Sequence, residues 1–182
     1  NAVGRDDADA LVARQLDGVL VPSGDEAFTP YGVMVENMAD ARPLSGPAKA
    51  RVVIEAPVEG GITRFFLLFD ASSTVDEIGP VRSARPYYVD WARGWGASYA
   101  HVGGSPEALS YLERARETVK NVDEMFAGQY FWRDAYRYAP HNAYTNSERM
   151  KQAFDDHAWA TSTVQRGWYF QVAASSTDRG DM

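Results

Sequence analysis

The chain has 182 residues, 45% of them hydrophobic and 13% aromatic, which supplies one ordinary globular core and excludes a disordered polymer. Eighteen basic residues against 25 acidic ones leave a formal charge of −7, the wrong sign for a general nucleic-acid binder, so any anion site must be local. Cysteine is absent, which removes disulfides, thiol catalysis and Cys-ligated zinc, and no apolar run approaches the roughly 20 residues of a membrane span.

Residues 1–24 are charged and Ala-rich, with a short apolar stretch from Leu16 to Val21 closed by Pro22-Ser23-Gly24. They read as a tether carrying one edge strand or turn. The organised part begins at Tyr31-Gly32-Val33-Met34-Val35-Glu36, a strand with Asn37 at its end. Two further β-rich runs, Arg51 to Pro57 and Ile62 to Asp70, flank Gly60-Gly61 and predict a hairpin. The second run is apolar on both alternating faces from Phe65 to Phe69, as expected of a central strand covered above and below.

A strand over 76–81 is expected to feed a helix that starts at Pro86, since proline suits the first helical turn, and ends at Gly94 or Gly96. Ala97 to Val102 predicts the next strand. It leads into Gly103-Gly104-Ser105-Pro106-Glu107, where Ser105 as cap, Pro106 and an early acidic residue mark a second helix start. Thr118 to Val122 predicts a short strand, and a last helix runs from about Ser147 to Ala158. The fold class that follows is α/β: a mixed sheet with helices on both faces, an α/β/α sandwich.

The two strand-to-helix junctions, 81–86 and 102–106, are where chemistry is expected. Helix starts at the carboxyl edge of a sheet present unpaired N–H groups that favour an anion, and open α/β folds place ligands there. Arg82 and Arg85 flank the first junction, and Arg64 starts an otherwise apolar strand. The same arginines have a structural reading, as partners of nearby carboxylates such as Glu55, Glu59 or Asp90. His101 fits a hydrogen-bonded structural histidine, whereas His141, in the loop Ala139-Pro140-His141-Asn142 beside Trp132-Arg133-Asp134, is better placed to reach over a pocket. Ser83 and Ser105 read as caps. Glu36, Asp40, Glu55 and Glu59 have no spacing diagnostic of a hard-metal site or a glycosidase pair. The aromatic run Tyr130-Phe131-Trp132 suits either core packing or stacking on a sugar.

Five segments in order carry a resemblance: Ile54 to Phe65, Ile78-Gly79-Pro80-Val81-Arg82-Ser83-Ala84-Arg85-Pro86-Tyr87, His101-Val102-Gly103-Gly104-Ser105-Pro106, Phe131-Trp132-Arg133-Asp134 and Ala139-Pro140-His141-Asn142. Over about residues 29–150 the chain resembles the YerB-like lipoproteins of bacteria, a family of unknown function. The resemblance implies a YerB-like N-terminal α/β domain over 25–160, after the 1–24 tether. It implies that 161–182 is a C-terminal extension, read as the start of a second domain. It also implies an extracytoplasmic parent protein anchored to the membrane by a lipid upstream of Asn1.

A more distant likeness is to the LytR-CpsA-Psr phosphotransferases, carried by Arg64, by Pro80 and Arg82, and by Gly103-Gly104. In that family arginines hold a polyprenyl diphosphate. Ser83 and Phe66 stand where it has aspartates, so the likeness gives only weak support for Mg²⁺ and the catalysis that depends on it, and no other cofactor is expected. The expected function is therefore binding of a phosphate-bearing lipid or glycan, in its sharper form as a phosphotransferase. The expected ligand set is Arg64, Arg82, Arg85, His101, Ser105, Arg133, His141 and Asn142. The alternative is a non-catalytic lipoprotein module for protein–protein interaction, with the arginines paired internally.

Overall fold

The computed structural model describes residues 11–14 and 16–159, which fall into two compact units. In the first, which includes residues up to Ala27, β1 (Leu11–Ala13) pairs antiparallel with β2 (Leu20–Pro22). Where one edge strand or a turn was expected, there is a two-stranded hairpin. Residues 1–10 and the expected extension over 161–182 lie outside the described residues.

The second unit starts at Phe28 and is built on one mixed sheet. Its strands are β3 (Pro30–Glu36), β4 (Val52–Pro57), β5 (Thr63–Asp70), β6 (Ser98–His101) and β7 (Lys120–Asp123), in the spatial order β4-β5-β3-β6-β7. The β4–β5 hairpin forms around Gly60-Gly61 as expected, and β5 then pairs antiparallel with β3. The neighbours of β3 and β6 on the other side, β6 and β7, are parallel to them. Every residue of β3 is buried and β3 is the middle strand; β5 is interior beside it and is buried on both faces from Phe66 to Asp70, as expected. Gly32 on β3 has a packing reason: a Cβ there would lie 2.2 Å from the Phe66 ring that crosses it.

Helices cover both faces. On one, α1 (Pro86–Gly94) and α2 (Pro106–Arg114) bury Tyr88, Val89, Ala92, Ala108 and Leu112, and the Tyr88 ring stacks 6.5 Å from Phe66. On the other, α3 (Ser147–Asp156) brings Met150, Ala153 and Phe154 into one cluster with Tyr31, Val33, Leu67 and Phe69. The N-cap of α2 is Ser105, whose Oγ accepts from the Ala108 N–H at 3.2 Å. Asn146 does the same for α3.

Two expectations shift. Residues 76–81 do not form a continuous strand; they meet the fold at isolated bridges, Ser45 to Gly79, Ile78 to Thr145 and Val35 to Val81. The reason lies in Gly79-Pro80. Gly79 has φ +153° and a Cβ on it would sit 2.6 Å from the Tyr144 ring, while Pro80 has no N–H for a ladder. The strand expected at Thr118 begins instead at Lys120, because a turn that returns the Thr118 N–H to the Ala115 carbonyl occupies its start. A short pair, β8 (Trp132–Arg133) with β9 (Ala143–Tyr144), carries the loop 134–142 between its strands.

Candidate functional site

The carboxyl ends of β3, β6 and β7 form one rim, and α1 and α2 both start there. Chain order reverses between β3 and β6, the place where an open sheet usually leaves a crevice. Here the segment Val81–Arg85 fills it. The Arg82 N–H donates to the Met34 carbonyl on β3, while the Val102 N–H donates back to Arg82. The Ala84 N–H then donates to Gly103, and the Ser105 N–H donates to Ala84. The two junctions where chemistry was expected are zipped to each other.

Arg64, Arg82 and Arg85 come together at this rim. Arg64 lies directly opposite Glu36 in the β5–β3 register and is 5% exposed. Its NH1 donates to the Ser83 carbonyl at 3.0 Å, and its buried Nε has no acceptor. Burial, then the nearby charges of Arg85 and Arg82, push its pKa down from the ordinary guanidinium value. Arg82 Nε donates to Glu36 Oε2 at 2.6 Å and its NH1 to the Pro140 carbonyl at 3.2 Å. Glu36 is fully buried, and its other oxygen accepts the Asn37 N–H.

Arg85 grips Glu59 with two parallel bonds of 2.6 Å, and those bonds hold the Glu59 carboxyl down at about 2. Glu59 is itself 67% exposed.

His141 joins the same neighbourhood. Its Nδ1 is buried without a hydrogen bond, 3.9 Å from Glu36 Oε2, and its ring lines an open cavity of about 350 Å³ shared with Asp40, Arg42, Tyr136, Arg137 and Tyr138.

The remaining expected ligands are spent inside the fold. His101 is fully buried, with Nδ1 2.8 Å from the Gly103 carbonyl and Nε2 2.7 Å from the Asn121 side-chain amide. Nε2 faces the amide oxygen of Asn121, and burial lowers the pKa of the ring from the ordinary imidazole value. Ser105 Oγ is the α2 cap. Arg133 donates to Glu124 at 2.8 Å and to the Asn142 Oδ1 at 3.1 Å, so these two engage each other and not the rim. Glu55 accepts from Asn37 and Thr63. Among the described residues no three His, Asp or Glu side chains gather into a cation cage.

Sequence reasoning passed over Arg42, Tyr136, Arg137 and Tyr138. The signal that could have found them is the run Tyr136-Arg137-Tyr138: two aromatics in a polar loop with no apolar periodicity to bury them.

The chain is an α/β domain whose sheet crevice is closed by its own backbone. Comparison with known families matches residues 12–160 to the N-terminal domain of a protein of unknown function, DUF3048, and the chain belongs to that family. It is 39% identical over 145 residues to the protein named "Putative lipoprotein YerB" of Bacillus subtilis (strain 168), covering 79% of this chain and 43% of that one. The crystal structure of YerB from Bacillus subtilis superposes with a TM-score of 0.80 at 34% identity, covering 90% of this chain and 56% of that one. The chain therefore spans about half the length of these relatives, and the relative named as a lipoprotein is bacterial.

Proposed function

We propose that the chain is the extracytoplasmic N-terminal domain of a membrane-anchored bacterial lipoprotein and binds an anionic, phosphate-bearing ligand of the cell envelope at the arginine rim. The observation that carries this is the charge balance there. Three guanidinium groups, Arg64, Arg82 and Arg85, share the rim with two paired carboxylates, Glu36 and Glu59. One of those carboxylates stands largely in water and can swing aside, and Arg64 keeps a buried donor without an acceptor. A phosphate oxygen in the place of the Glu59 carboxylate would meet the Arg85 fork in the geometry guanidinium prefers.

The test is titration with inorganic pyrophosphate followed by calorimetry and backbone amide NMR. Glu59→Gln, which releases Arg85, should bind about tenfold tighter than the native chain, and Arg85→Ala should bind about tenfold weaker, each a change of about 1.4 kcal/mol. Absence of pyrophosphate binding in both the native chain and Glu59→Gln would end the reading.

A second reading, a protein-interaction module, is favoured by a different observation. Arg82, Arg85 and Arg133 each already hold a glutamate, while Met125 and Phe126 stand out at the end of β7 with Phe126 89% exposed. Failure of the pyrophosphate titration would leave this module as the working function.

A further inference from the structure

The cavity beside the rim has its own chemistry. Tyr136 and Tyr138 are 96% and 91% exposed, yet both line it, together with the exposed Asp40 and Arg42 and the half-buried His141. A large aromatic surface left in water on one face of a pocket is the feature that asks for an explanation. Mobility of the loop is not that explanation, because the loop is fastened on every side. Arg137 donates to the Ala41 carbonyl at 2.7 Å and to the Pro43 carbonyl at 2.8 Å; Arg82 reaches the Pro140 carbonyl; the Asp134 N–H donates to Asn142 at 2.8 Å; and the His141 N–H donates to Tyr138 at 2.9 Å. The backbone that carries the two rings is therefore a fixed frame, which lowers the ordering cost that a floppy loop would charge a ligand.

The polar groups say which ligand. An anion is a poor match, because both terminal nitrogens of Arg137 are committed to backbone carbonyls, one from Arg42 is committed to the Asn37 side chain, and Asp40 brings a negative charge. A carboxylate that only accepts, a guanidinium that donates and an imidazole that does either form a set suited to vicinal hydroxyls. The volume lies at the small end of the roughly 300–1,000 Å³ typical of small-molecule sites, room for about one ring and its substituents.

From the tyrosine pair, the polar set that shares its cavity and the fastened loop, we infer that this cavity is a saccharide subsite. An all-equatorial pyranose lays its flat C–H face on Tyr136 or Tyr138, and its ring hydroxyls bridge Asp40, Arg42 and His141. The inference goes beyond the anion reading and uses other atoms, so it stands or falls separately.

The probes are the neutral β-1,4-linked tetramers of glucose and of N-acetylglucosamine, added to the whole chain and followed by intrinsic fluorescence and amide NMR. Binding is expected to shift the amides of 40–42 and 134–142 and to leave those of 59 and 85 in place. Tyr136→Ala and Tyr138→Ala should weaken it tenfold or more, whereas the phenylalanine variants, which keep the stacking face, should bind within about threefold of the native chain. Both tyrosines are exposed, so the alanine variants are expected to melt with the native chain. Failure of both tetramers to bind overturns the proposal, as does binding that survives both alanine substitutions. Binding of a proline-rich peptide to these tyrosines in place of the sugars also overturns it. Pyrophosphate binding without sugar binding would keep the rim and remove this subsite; the converse would keep the subsite and remove the rim.

Discussion

At the scale of single residues, Glu36 is the hub. It is fully buried at the end of the central strand, with Arg82 bonded to it and Arg64 opposite it. Replacing Arg82 by alanine leaves that carboxylate buried without its hydrogen-bonded partner, which should destabilise the domain by about 3 kcal/mol in urea unfolding. Adding Glu36→Gln should recover a substantial part of the loss, because the stranded charge is then gone. His101 makes a second case. Burial holds its folded pKa below the ordinary 6.5, so the unfolded chain takes up a proton on this ring at a higher pH than the folded one. The stabilisation is therefore full above about 6.5 and is lost as pH falls below it. His101→Gln should flatten the dependence of melting temperature on pH between about 7 and 5.

Of the residues at the rim, the Arg85–Glu59 pair was among the pairings open to the sequence, since a loop carboxylate and an arginine at a helix start are common partners. The Arg82–Glu36 pair was not. It joins residues 46 apart, and only the wedge of 81–85 beside β3 brings them together.

At the scale of elements, the strands and helices with strong local signals were legible. The Gly60-Gly61 hairpin, the Pro86 and Ser105-Pro106 helix starts and the double-sided burial of β5 all follow from local chemistry. What escaped was set by tertiary contact: 76–81 has strand-like residues but lies against three different partners, and the aromatic loop 134–142 is shaped by carbonyls of residues 41 and 43. The sheet itself offers a test. Gly32→Ala places a methyl inside the Phe66 ring and should destabilise the domain by about 2 kcal/mol or more in thermal unfolding. Combination with Phe66→Leu should be less than additive, since the smaller side chain removes the clash. A milder loss, about 1 kcal/mol, is expected for Ser105→Ala, which removes only the α2 cap.

At the scale of the whole molecule, the net charge of −7 repels an approaching anion at long range, and on the proposed function the arginines of the rim attract it only at contact. The association rate for pyrophosphate should accordingly rise with salt from about 0.01 to 0.1 M, where the screening length shrinks from about 30 to 10 Å. A basic anion-binding protein shows the opposite sign in stopped-flow measurements.

The wedge of Val81–Arg85 has an evolutionary corollary. Open sheets commonly acquire new chemistry by point changes in the cleft between diverging strands, and here that cleft is stoppered by the protein's own main chain. Diversification is thereby pushed outward to the perimeter, where loops tolerate insertion. Members of the family should vary in length around 37–43 and 134–142 while the stopper keeps a constant length.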